Sequence, residues 1–133
     1  MKVVVDGFSH RSNDELHGFW DVQFVDGIAT PPATLAKNLL AQITPADAGA
    51  WASSGPEDWA MEAFNFSRTD TYGSPPLSKD EVQHLDSNYV DTAEMDVSLQ
   101  LSRAGIRLAS VLNKSLGSKD ADWNACLRGS PNN

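Results

Sequence analysis

A chain of 133 residues is long enough for one domain with a buried core, and its formal net charge of -8 excludes phosphate binding by a basic groove. Hydrophobic content of 41% and charged content of 21% belong to a globular chain, not a disordered one. The single cysteine, Cys126, excludes an internal disulfide and any zinc site built from several thiolates of this chain.

In chain order, "MKVVVDGFSH" opens on the apolar run Val3 to Val5, too short for the core of a signal peptide. No run is long enough to span a bilayer, so neither an export signal nor a membrane partner is expected. The three valines followed by Asp6 and Gly7 predict a short strand ending in a turn, with few partners elsewhere in the chain. A sequence that starts so directly on a strand is expected to be cut from a longer protein.

Glu15 to Phe24 predicts a short helix with His17 and Asp21 on one face and Trp20 and Phe24 on a neighbouring one. Thr30-Pro31 starts the next helix, in which Leu35, Leu39 and Ile43 recur every four residues. Thr44 caps another helix, with Pro45 following, that runs to about Trp51. "SSGPED" breaks it and launches a helix with Trp59, Ala63 and Phe66 on one side. "SKDE", Ser78 to Glu81, has the capping-box pattern. Asp86 to Gly117 is the longest expected helix, with Val90, Val97, Leu101, Ala104, Leu108 and Val111 at helical spacing. Gly105 in its middle is expected to mark a close helix crossing, and Gly117 to stop it. Residues 118–133 lack any such period and are expected to form a polar tail. The fold class is therefore mainly α, with a short N-terminal strand.

A histidine and an aspartate four apart on a helix present imidazole nitrogen and carboxylate oxygen to a common point, which suits zinc. From the residues alone two readings of His17 and Asp21 stay open: two metal ligands, or a partly buried histidine hydrogen-bonded along its own helix. Zinc wants four donors, so the pair is at most half of a structural site. His10 and His84 are expected at the surface, and Cys126 has no assigned role. No P-loop, Rossmann glycine pattern or G-x-S-x-G is present.

Three stretches in order carry a family resemblance. "LHGFWD" resembles the "NLHxVWD" motif of the zinc-dependent single-strand nucleases and 3′-nucleotidases, the nuclease S-one/P-one family. "PEDWAMEAFNFSRTDTYG" is similar to that family's "WAxES…A…YG" segment, and "LQLSRAGIRLASVLNKSLG" to its C-terminal helix. The resemblance spans roughly Val3 to Gly117.

It implies a mostly helical fold with three zinc ions in a cleft, and hydrolysis of phosphodiester bonds in single-stranded DNA or RNA, with 3′-nucleotidase action as a further activity. It also implies that His17 and Asp21 are ligands to one zinc, and that zinc supplies the positive field the acidic chain lacks. Relatives are typically secreted or periplasmic. The family's mature N-terminal tryptophan and its "HxxGDxHQPLH" run do not occur in this sequence. Residues 1–117 are thus expected to be the C-terminal part of such a nuclease, inactive alone. The rival expectation is a non-catalytic helical module. It would pair with another chain, or with itself, through Leu16, Trp20 and Phe24.

Overall fold

Val3, Val4 and Val5 are β-branched in succession and form strand β1 (Val3–Val5) of the computed structural model, which describes residues 1–9, 15–78 and 80–117. The strand does find a partner. It pairs in parallel with β2 (Gln83–Leu85), placing Val3 opposite Gln83, Val4 opposite His84 and Val5 opposite Leu85. Glutamine and histidine carry little strand preference, which hid β2 in the sequence. Parallel strands need a long crossover, and the helices between residues 16 and 71 supply it. Gly7, at φ 81°, turns the chain out of β1.

Helix α1 (Leu16–Gly18) runs without a break into a wide π-helical stretch, Phe19–Gln23, and on into α2 (Phe24–Ile28). The Phe24 N–H donates to the carbonyl of Phe19, five residues back, where an α-helix would reach four. Leu16, Phe19 and Phe24 are at most 2% exposed and pack with Val3, Val5 and Leu85. This corrects the expectation of an open docking face: Leu16 and Phe24 are core, and Trp20 packs against them half-buried. Their apolar stripe turns inward because β1 and the last helix offer it a surface to bury.

Helix α3 (Pro32–Gln42) begins one residue after the expected proline, with Pro31 as its cap, and buries Leu35 and Leu39. Helix α4 (Pro45–Ser53) has the expected Thr44 cap. The Asp47 N–H donates to Thr44 Oγ1 and the Thr44 N–H to Asp47 Oδ2, both at 3.2 Å. Helix α5 (Pro56–Phe66) follows, its entry tied by the Gly55 N–H to Asp58 Oδ2 at 3.0 Å, and widens into a second π-helical stretch, Ser67–Thr71.

The capping pattern at Ser78 to Glu81 launches no helix. Ser78 Oγ accepts from the Asp80 N–H at 3.3 Å, and the chain goes on into β2. Asp86 is the working cap, accepting from the Tyr89 N–H at 3.0 Å, for α6 (Ser87–Ser115). Helix α6 buries Tyr89, Ala93 and Val97 against the core, then Ile106, Arg107 and Ser110. Leu101, Leu108 and Val111 are exposed, and a methyl group at Gly105 would meet open space, so no close crossing occurs there. The spacing was right, but α4 and α5 pack on the neighbouring polar face.

Gly117, at φ 73°, ends the helix as expected. The fold is mainly α with one two-stranded sheet. No described helix is long and apolar enough to cross a membrane. The tail, 118–133, with Cys126, lies outside the described residues, as does His10.

Candidate metal centre

His17 ends the short α1 and Asp21 sits inside the wide turn that follows. The structure brings them together: His17 Nε2 lies 3.0 Å from Asp21 Oδ2. The side chains are 86% and 56% exposed, so the histidine is not partly buried, but the contact along its own helix that the alternative reading expects is present. Either the imidazole N–H donates to the carboxylate, or both atoms turn their lone pairs on one cation.

An exposed pair of this kind contributes little to stability, since water screens the charges and two side chains must be ordered. Zinc bonds of about 2.0–2.1 Å to nitrogen and oxygen, at a tetrahedral angle, hold two donors roughly 3.3 Å apart. The observed 3.0 Å lies near that span and is equally an ordinary N–H···O hydrogen-bond distance, so the pair's geometry is compatible with either role.

His84, on β2, pairs with Asp6 at the end of β1, Nε2 to Oδ1 at 3.3 Å, and both are exposed. Among the described residues no cluster of three or more histidine, cysteine, aspartate and glutamate side chains could hold a metal.

The sequence did not single out a charged seam between α5 and α6. Arg107 donates twice to Glu62, Nη1 to Oε1 at 2.9 Å and Nη2 to Oε2 at 3.1 Å. Arg103 Nη1 lies 3.2 Å from Glu62 Oε2. The guanidinium of Arg103 stacks over Trp51 and Phe66, and that of Arg107 over Trp59. Burial opposes ionisation of Glu62, but the hydrogen bonds from Arg107 and the charges of both arginines outweigh it and hold its carboxyl below the usual range. About two helical turns before Arg103, burial and the neighbouring Asp70 push Asp96 up to about 6. The visible signal was two arginines four apart on one face of α6 and an acid, Glu62, between the aromatic residues of α5. These groups brace the helices and lie apart from the pair.

Comparison with curated proteins and with solved structures gave no match. A family model described as S1/P1 Nuclease matches residues 1–117, from β1 to the glycine that closes α6. The match covers the wide turn that carries Asp21, the Glu62 seam and the whole of α6. On that match, the chain belongs to the S1/P1 nuclease family.

Proposed function

We propose that His17 and Asp21 hold one zinc ion of a centre that hydrolyses phosphodiester bonds in single-stranded DNA or RNA, with 3′-nucleotidase action at the same centre. The observation that carries this reading is the exposed His17–Asp21 pair at zinc-chelating separation inside a domain of the S1/P1 nuclease family. A net charge of -8 points the same way: the chain has no cationic surplus to offer a phosphate. Zinc, when bound, supplies positive charge and Lewis acidity toward phosphoryl oxygens.

The task of this chain's residues is to hold and orient. His17 gives an imidazole nitrogen and Asp21 a carboxyl oxygen, both on one short, well-anchored segment. Phe19 and Phe24, buried beneath it, fix that segment against β1 and α6. Two donors are half the set that zinc favours, so the described residues do not by themselves complete a catalytic site.

The purified chain with zinc is therefore expected to leave a single-stranded oligonucleotide uncut. Cleavage is expected when the ligand-bearing segment of a family member is supplied as a second polypeptide, and is expected to vanish with His17→Ala. Zinc-dependent cleavage by the chain alone would contradict the two-donor account. Reconstituted cleavage indifferent to His17→Ala would contradict the role given to the pair.

A further inference from the structure

The second half of α6 has a face that none of the described residues covers. Leu101, Leu108, Leu112 and Leu116 fall in one stripe along the helix and are 41%, 60%, 47% and 80% exposed. Beside the stripe, between α3 and α6, runs a groove of about 590 Å³. Leu35, Leu39 and Ile43 line one side and Leu101 and Ile106 the other, and Gly105 opens its floor because no side chain stands there. No charged residue lines it. Single exposed leucines are ordinary, but an apolar groove that runs on into a leucine stripe marks a docking surface.

The sequence offers an occupant close at hand. Gly117, at φ 73°, turns the chain out of α6 at the end of the stripe. In the residues that follow, the charges stand at Lys119, Asp120, Asp122 and Arg128. Between Asp122 and Arg128 lies the uncharged run Trp123, Asn124, Ala125, Cys126 and Leu127, which matches the uncharged groove. Trp123 stands six residues past Gly117, a reach of up to about 20 Å for extended chain. Gly105 stands twelve residues before Gly117, about 18 Å back along the helix. The indole can therefore reach the groove. A second copy is the poorer occupant, since two chains that each carry a net charge of -8 repel one another. A tethered segment instead meets the groove at an effective concentration in the millimolar range.

We propose that residues 123–127 dock in the groove between α3 and α6, with Trp123 and Leu127 as the anchors. The groove is then an interface within one chain, and its occupant keeps the neighbouring leucines from other proteins. The proposal is independent of the zinc reading.

The test uses the full chain with a nitroxide spin label on Cys126, its single thiol, and follows backbone amide signals by NMR. The signals of Leu40, Ile43, Gly105 and Leu112 are expected to lose most of their intensity. Those of β1, which pairs with the strand before α6 and so lies at the far end of that helix, are expected to keep theirs. Trp123→Ser and, from the groove side, Leu101→Asp are each expected to restore the lost signals. Leu101 is 41% exposed, so its variant leaves the buried core in place. Trp123→Ser is also expected to lower the melting temperature by about 5 °C, the shift that loss of a modest apolar contact produces in a domain of this size. Groove signals untouched by the label, or broadening that survives both variants, would overturn the proposal. So would broadening that appears only between a labelled chain and a separate isotope-enriched one, which would seat a second copy in the groove.

Discussion

Glu62→Ala is expected to destabilise the chain by about 3 kcal/mol at neutral pH, the low end of the cost of breaking a buried ion pair. The side chains of Arg103 and Arg107 are only 19% and 10% exposed, and Glu62 is the acid that meets both. Removing it leaves two guanidinium groups in poor solvent with no counter-charge. Their stacking on Trp51, Phe66 and Trp59 recovers only part of the loss. Urea unfolding at pH 7 measures the effect.

Its pH dependence has a definite sign. The Glu62 carboxyl titrates lower folded than unfolded, so its contribution is present above the ordinary glutamate range. That contribution fades as pH falls through the lowered value. Wild type and Glu62→Ala should therefore converge in acid. A loss below about 1 kcal/mol at pH 7 would mean that the aromatic rings alone accommodate the arginines.

The second large effect is at Phe24. Phe24→Ala is expected to cost about 3–5 kcal/mol, the usual penalty for emptying a fully buried aromatic site. Phe24 is 0% exposed, and its ring lies within 6.3 Å, centroid to centroid, of Phe8, Phe19, Trp20 and Tyr89. Four rings from β1's turn, the wide stretch and α6 converge on it, and none can shift far enough to fill the void without leaving its own contacts. A drop in urea midpoint with unchanged slope would show lost packing in an intact fold. A cost under 1 kcal/mol would mean that the cluster collapses around the gap.

The parts of the fold that the sequence showed were those with local chemistry. Thr44 and Asp47 cap α4 because a hydroxyl and a carboxylate three residues apart satisfy each other's backbone. Leu35 and Leu39 repeat at the helical period and are buried. Gly117 ends α6 because glycine takes the left-handed turn freely.

What stayed hidden depended on distant partners. Gln83-His84-Leu85 is a strand only because β1 is beside it. Leu101 and Leu108 keep a regular spacing, yet nothing local says that α4 and α5 would choose the next face of α6. The position of His17 and Asp21 was legible from their spacing, and the structure confirms that they meet. Their exposure was not legible, nor was the wide turn beneath them: residues four apart read the same whether the helix is narrow or wide.

The central claim is that His17 and Asp21 grip a zinc ion together. Isothermal calorimetry of the chain with zinc chloride tests it most directly, run beside His17→Ala and Asp21→Ala. The account predicts one zinc per chain, with binding lost in either variant. No binding by the unaltered chain, or the same binding in all three, would contradict it.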